Sequence, residues 1–280
     1  MKTRLVFVLT LILVLYACAP AGGVAPPPEG SVYVHTIDVG QGSAVLIETM
    51  GGNMLIDAGE PHMGAFVVYY LQSQGIMHLD YIVATHPHND HIGGMPQVMS
   101  AFSVGTIIMP DAVHDTMAFE NLLDSIESYN IPVWVPSLGD AFWLGDAEFT
   151  VLAPVYDHYS SLNDMSIVLR MQHGHNGFLF MGDAEEISER DILRTWSYIG
   201  AHVLKLGHHG SRTSTSQAFL DAVNPMVAII SCGVNNQFGH PHPEVLQALY
   251  ERDIMVFRTD ESGTIIVHSY DGMLEIIEEF

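Results

Sequence analysis

The chain has 280 residues, 32 of them acidic against 9 basic, for a formal net charge of −23. That balance excludes a broad basic footprint on nucleic acid and electrostatic docking onto anionic lipid. Nearly half of the residues are apolar, 48%, enough for a sizeable core in one large domain or two small ones.

The first residues read as an export signal rather than as fold. Met1-Lys2-Thr3-Arg4 is a positive start, and Leu5 to Leu15 is apolar apart from Thr10, too short for a comfortable membrane span. Leu15-Tyr16-Ala17-Cys18 resembles a bacterial lipoprotein cleavage box. The resemblance implies a signal peptide over 1–17, lipidation of the Cys18 thiol, and anchoring in a membrane outside the cytoplasm. An ordinary signal peptide cleaved nearby is the alternative. Residues 18–31, rich in Pro, Gly and Ala, follow as a flexible tether. With Cys18 lipidated, Cys232 has no partner, and behind the apolar run 227–230 it reads as a buried free thiol.

From Val32 the chain alternates and is β-branched, a strand that ends in Asp38-Val39-Gly40-Gln41-Gly42. Strands over 44–48 and 54–56 turn at Gly51-Gly52-Asn53, and the second ends at Asp57-Ala58-Gly59. A helix over 64–74 stops at Gly75. The apolar strand 81–84 then runs into Thr85-His86-Pro87-His88-Asn89-Asp90-His91-Ile92-Gly93-Gly94. Next come a helix over 94–101, a strand over 106–109, a helix over 117–129 and short strands over 133–135, 141–144 and 148–152. A loop over 153–163 precedes a hairpin, 166–172 with 177–181, whose second arm ends in Gly182-Asp183-Ala184. A helix over 187–198 and a strand over 203–206 lead to Gly207-His208-His209-Gly210-Ser211. A helix over 216–223, a strand over 226–230, the loop Phe238-Gly239-His240-Pro241-His242-Pro243 and a helix over 244–251 follow, and strands near Met255, over 263–268 and over 273–277 close the chain. Helices and strands interleaved in this way predict a single α/β domain over 32–280, with helices covering a pair of sheets.

Asp38, Asp57, His86, Asp183 and His208 each fall at the C-terminal end of a predicted strand, where layered α/β folds build their sites. Histidines two apart on an extended segment point the same way, so His86 and His88 can reach one cation. Asp90 and His91 follow where the chain turns into a helix, and can reach a second cation beside the first. Imidazole mixed with carboxylate suits zinc, manganese or iron, and Asp183 is the candidate to bridge two ions about 3.5–4 Å apart. A structural zinc would favour cysteine ligands in a closed shell, and the chain has no usable cysteine for that.

His86-Pro87-His88-Asn89-Asp90-His91 is similar to the HxHxDH signature of the metallo-β-lactamase fold superfamily. With Ile37–Ala44, Leu55–Gly59, Leu162–Arg170, Phe178–Glu185, Leu204–Ser211 and Gly239–Pro241, the chain resembles the ComEC-type hydrolase branch of that superfamily from Val32 to the C-terminus. The resemblance implies an αββα sandwich and two divalent metal ions, zinc or manganese. It places His86 and His88 on the first metal, Asp90 and His91 on the second, and Asp183 between them. His208 is expected to complete the second metal, with His240 as the competing ligand. Asp57 is expected to orient the loop, and Asp38, Asn163 and Ser166 are supporting or alternative ligands. A third histidine for the first metal is not evident. His209, Ser211 and Arg212 are expected to contact a substrate oxyanion, although a surface salt bridge is an equal prospect for Arg212. His35, His62, His78, His114, His202 and His268 are expected to be ordinary residues, and His173 and His175 to lie in a hairpin turn.

The chemistry expected is hydrolysis by a hydroxide held between the cations and oriented by Asp90. The resemblance favours phosphodiester substrates, hence a phosphodiesterase or nuclease free of any channel, and the acidity favours small or oligomeric substrates over long DNA. A carbonyl hydrolase (lactonase, thioesterase or β-lactamase) and a non-catalytic, lipid-anchored binding protein are the alternatives.

Overall fold

The computed structural model describes residues 27–279; the signal peptide, Cys18 and the tether as far as residue 26 lie outside them. In chain order the elements are β1 (Ser31–Thr36), β2 (Val45–Thr49), β3 (Gly52–Ile56), α1 (Gly64–Ser73), β4 (His78–Val83), α2 (Asn89–Ile92), α3 (Met95–Ala101), β5 (Ser103–Ile108), α4 (Met117–Ser128), β6 (Val133–Trp134), β7 (Ala141–Leu144) and β8 (Ala147–Ala153). The second half holds β9 (Val168–His173), β10 (Asn176–Phe180), α5 (Glu186–Thr195), β11 (Val203–Lys205), α6 (Gln217–Val223), β12 (Val227–Ile230), α7 (Pro243–Tyr250), β13 (Met255–Arg258), α8 (Thr259–Ser262), β14 (Thr264–Tyr270) and β15 (Met273–Glu279).

The strands form two sheets, ordered β15-β14-β1-β2-β3-β4-β5-β6 and β13-β12-β11-β10-β9-β8-β7. Three apolar layers result. Val34, Ile47, Met54 and Val83 of the first sheet face Phe149, Leu169, Phe178 and Ile229 of the second. The outer face of the first sheet packs on Val67 and Leu71 of α1, Val98 of α3 and Phe119 and Leu122 of α4. The outer face of the second packs on Ile192 of α5, Phe219 and Leu220 of α6 and Val245 and Leu249 of α7. This is the αββα sandwich that the interleaved pattern predicts: alternation along each strand feeds one face to each layer.

Register brings the motifs together. β3 and β4 are parallel with Ile56 opposite Val83, so Asp57 and Thr85 leave the sheet side by side. β10 and β11 are parallel with Phe180 opposite Lys205, so Gly182-Asp183 and Gly207-His208 emerge at one level of the facing sheet. The Ile167 amide donates to the Thr85 carbonyl at 2.9 Å and joins the two rims.

Two local features depart from expectation. A one-turn helix, α2, begins inside the histidine motif itself, and its Asn89 carbonyl receives the Gly93 amide at 3.0 Å. Strand β1 stops at Thr36, two residues short of Asp38, where the Asp38 carboxylate turns back to accept the Gly40 amide.

Candidate metal centre

The site starts from a buried carboxylate. Asp57 has no exposed surface and a left-handed backbone, φ 59°, which aspartate tolerates better than most residues. It accepts the Thr85 amide at 2.9 Å, the Thr85 hydroxyl at 2.9–3.0 Å, and the His91 Nδ1–H at 2.7 Å. Backbone bonds close the same junction: Ala58 N donates to His91 O, and Gly94 N to Gly59 O. The histidine motif is thus held in place by the turn after the neighbouring strand.

With Nδ1 tied to Asp57, His91 turns Nε2 to Asp183 Oδ1, 3.1 Å away. Asp183 is itself placed by the Ser166 hydroxyl, which accepts its amide at 3.0 Å. His209 donates Nδ1–H to the Ser231 carbonyl at 2.9 Å and turns Nε2 to Asp90 Oδ2, 3.2 Å, and Asp183 Oδ1, 3.6 Å. On the other oxygen of Asp183, His86 Nε2 stands 3.7 Å and His208 Nε2 4.0 Å from Oδ2. His88 Nδ1 lies 3.0 Å from His86 Nε2. The two oxygens of Asp183 therefore face different neighbours, His91 and His209 at Oδ1 and His86 and His208 at Oδ2.

The donor set fits a divalent cation. His86, His91 and Asp183, and again Asp90, His91 and His209, present ligand atoms that converge on common points. Among the described residues, His91 Nε2, His209 Nε2 and Asp183 Oδ1 are buried and take no hydrogen bond, a costly arrangement unless a cation satisfies them. The electrostatics agree. Burial disfavours charge on His91, yet Asp183, Asp57 and Asp90 together hold its proton well above the ordinary histidine range. Burial and the neighbouring His91 push His86 well below that range. Asp183 and Asp90 are both held ionised against burial, chiefly by His91 and His209. A proton surrounded by carboxylates occupies the place that metal binding would take over.

The sequence-predicted residues fall into three groups. His86, His88, Asp90, His91 and Asp183 come together, with Asp57 and Ser166 directly behind them. His209, expected at a substrate oxyanion, takes the place expected of His208, beside Asp90 and on the Oδ1 side of Asp183, and His208 lies on the Oδ2 side. The backbone explains this. Both residues are left-handed, φ 47° and 54°, and splay their rings apart. Gly210 follows with φ 78°, and a Cβ there would sit 2.7 Å from Pro241 Cβ, so the His240-Pro241 loop packs directly onto it. The third group lies outside the converging donor sets. The Asp38 carboxylate caps its own loop. Ser211 is buried, and its hydroxyl bonds Thr213. Arg212 is exposed and pairs with Glu244 at 3.3 Å. These are the contacts the two side chains make; for Arg212 the pairing is the surface salt bridge expected of it as the alternative. Asn163 Nδ2 lies 3.5 Å from His208 Nδ1. His240 packs its ring 5.5 Å from His208 and 6.2 Å from His209, outside the converging sets.

Three participants carry no signal in local sequence. Thr85 is buried and bridges Asp57 to the motif. Glu185 Oε1 lies 3.0 Å from His208 Nδ1. His114, expected to be ordinary, places Nδ1 3.0 Å from the Pro87 carbonyl and its ring 5.2 Å from His88. Their roles arise from contacts 23 to 28 residues away along the chain.

Residues 37–234 match the family model described as the metallo-beta-lactamase superfamily. The chain belongs to that superfamily. It is 32% identical over 272 residues to ComE operon protein 3 of Bacillus subtilis (strain 168), covering 91% of this chain and 34% of the relative. It is 34% identical over 250 residues to Recombination protein 2 of Haemophilus influenzae, covering 87% and 29%. These relatives define the ComEC-type branch, and the chain spans about a third of their length. Among solved structures, the metallo-beta-lactamase fold protein YhfI from Bacillus subtilis superposes with a TM-score of 0.56 at 12% identity, over 88% of this chain and all of that one. The protein thus has the metallo-beta-lactamase fold, competence-protein relatives and a His/Asp cluster that could hold metal. Among the described residues no helix is long and apolar enough to cross a membrane.

Proposed function

We propose that the protein is a phosphodiesterase using two divalent cations, zinc or manganese, and acting on nucleotides or short oligonucleotides. The observation that carries this reading is the convergence of imidazole and carboxylate atoms around Asp183, with His91 Nε2, His209 Nε2 and Asp183 Oδ1 buried and without a hydrogen bond. His86 and His88 would hold one cation, and Asp90, His91 and His209 the other, with Asp183 between. Bound there, the cations would supply Lewis-acid activation of water and stabilisation of the charge that builds on phosphoryl oxygens.

The chain's own residues do the rest. Asp57 and the Ser231 carbonyl each take an Nδ1 proton, which leaves the Nε2 lone pairs of His91 and His209 directed inward. Asp90, partly exposed at the rim, is the carboxylate placed to orient the attacking water. A cleft of about 200 Å³ opens beside it, lined by Gln41, Glu60, Asn89, Asn236, Gln237 and Phe238. Phe238 is 54% exposed and stacks on His240 with ring centres 5.6 Å apart. Side-chain amides and an open aromatic face suit a nucleobase, whereas the lining offers no cation to follow a long phosphate backbone. The printed names of the relatives, a competence-operon protein and a recombination protein, support a substrate of the nucleic-acid class.

Manganese- or zinc-loaded protein is expected to cleave bis-p-nitrophenyl phosphate, and Asp183→Ala to abolish cleavage. Turnover of nitrocefin or a lactone without phosphodiester cleavage would replace this reading with carbonyl hydrolysis, and metal-free protein with no turnover of either kind would favour a binding protein. We place the protein in the cell envelope through a lipid on Cys18. Cys18→Ser is expected to move it from the membrane to the soluble fraction, and retention in the membrane would refute the anchor.

A further inference from the structure

We propose that the cleft beside Asp90 selects guanine, with the Glu60 carboxylate reading the edge of the base and Phe238 stacking on its face. The inference rests on the phosphodiesterase reading above and names the base that the substrate carries.

Two fixed walls make the cleft. Glu60 stands on one. The residue before it is pinned twice: Gly59 N donates to the Ser43 carbonyl at 2.8 Å, and the Gly59 carbonyl accepts the Gly94 amide at 3.0 Å. The residue after it, Pro61, packs on the end of the histidine motif, where a Cβ on Gly93 would sit 2.3 Å from Pro61 Cδ. The Glu60 side chain thus starts from backbone built into the candidate metal centre. Phe238 stands on the other wall, in the loop over 233–240. Asn236 ties that loop to itself, with Nδ2 donating to the Gly233 carbonyl at 3.0 Å and Oδ1 accepting the His240 amide at 2.9 Å. Gln41 joins the walls, its Oε1 accepting the Gly233 amide at 3.2 Å.

These bonds separate occupied groups from open ones. The Asn236 side chain and the Gln41 carboxamide oxygen are already engaged within the protein. Glu60 is half-buried and pairs with the exposed His62 at 3.2 Å, a surface contact that a ligand can displace. The Phe238 ring is covered on the side of His240, with the planes 23° apart, and is otherwise exposed.

The open groups define what can enter. Two carboxylates, Glu60 and Asp90, line the cleft, and none of the lining residues is basic. A phosphate therefore belongs at the metal cluster beyond Asp90, and the part of the ligand that enters the cleft is uncharged and rich in donors. A space of about 200 Å³ is smaller than the roughly 300–1,000 Å³ that a whole drug-sized ligand occupies, and suits one ring system. An ionised carboxylate only accepts hydrogen bonds. Guanine sets its ring N–H and its exocyclic amine side by side, two donors for the two oxygens of Glu60. Adenine and cytosine set an amine beside a ring nitrogen that accepts, and uracil and thymine set one N–H between two carbonyls. Each of these would bring an acceptor against a carboxylate oxygen.

The test uses the full chain loaded with Mn²⁺ and the p-nitrophenyl esters of guanosine, adenosine, cytidine and uridine 5′-monophosphate. Wild type is expected to favour the guanosine ester by about 10-fold or more in kcat/KM. Glu60→Gln offers a donor beside an acceptor, which matches adenine, and is expected to lower the guanosine-to-adenosine ratio by about 10-fold. Phe238→Ala is expected to lower kcat/KM for every ester by about 5-fold or more and to leave that ratio unchanged. The ratio compares two substrates on one preparation, so incomplete folding or metal loading does not move it. Calorimetric titration with guanosine and adenosine 5′-monophosphate reads the same preference without turnover. Equal kcat/KM for the two purine esters in wild type, or an unchanged ratio in Glu60→Gln, would overturn the guanine assignment and leave the phosphodiesterase reading standing. Faster cleavage of p-nitrophenylphosphocholine than of any nucleotide ester would do the same, by assigning Glu60 and Phe238 to a cation. Tighter binding of the guanosine monophosphate with no ester cleaved would sustain the selectivity of the cleft and overturn the phosphodiesterase reading. Equal binding of the two monophosphates with no ester cleaved would overturn both.

Discussion

Asp57→Asn isolates how the fold controls the cluster. The asparagine keeps the shape, tolerates the left-handed φ of 59°, and can still accept the Thr85 amide and hydroxyl through its carbonyl oxygen. Its NH₂ would then face His91 Nδ1, 2.7 Å from the present Asp57 Oδ2. Donor would meet donor unless the imidazole moves its proton to Nε2, and that proton would block the atom now aimed at Asp183. Replacing one hydrogen bond to a charged group in this way costs roughly 1.5–3 kcal/mol of stability. Loss of an orienting partner behind a ligand histidine weakens metal about 10–100-fold. By linkage, the stabilisation that saturating metal adds should shrink by about 1.4–2.7 kcal/mol. Asp57→Ala removes every acceptor from the three donors and adds left-handed strain, so it should lose roughly 3–5 kcal/mol even without metal. Urea unfolding of wild type and both variants, with and without Mn²⁺, measures each quantity. Equal metal-dependent stabilisation in wild type and Asp57→Asn would refute the reasoning.

Two further outcomes follow from packing and burial. A Cβ on Gly94 would lie 2.2 Å from the Ala58 carbonyl oxygen and 3.0 Å from Gly64 Cα, both backbone atoms. Gly94→Ala should therefore cost about 1–3 kcal/mol of stability, or more. For a domain of this size that lowers Tm by roughly 2–4 °C per kcal/mol, and an unchanged melt would exclude the close contact. Burial, then the Asp260 carboxylate that receives its S–H at 3.2 Å, pushes the Cys232 thiol up to about 12. Because the raised value keeps the folded thiol protonated at pH 8, Cys232 should resist a thiol-specific disulfide reagent until denaturant is added; rapid labelling of native Cys18→Ser protein would show that the thiol is accessible.

Much of the framework is legible along the chain because it is local. Alternating, β-branched residues specify the strand at 31–36, and helical spacing specifies 117–128, within a residue or two of their observed ends. The His86–His91 spacing announces a cation site before any contact is known, because residue types at short separation set what one loop can offer. Asp57 and Asp183 stood out for the same reason, each closing an apolar strand. The ends were less legible: Asp38 has the same strand-end look but spends its carboxylate on its own loop.

What tertiary structure alone decided is which donor serves which side of Asp183. His208 and His209 are chemically identical neighbours, and nothing local ranks one above the other. The choice is made by the Ser231 carbonyl, Glu185 and the Pro241 contact with Gly210, each brought in from another element of the fold. Sequence thus determined that histidines and aspartates would gather at the strand ends of a layered α/β domain. Long-range packing determined the backbone angles at residues 208 and 209, and with them the direction of each lone pair.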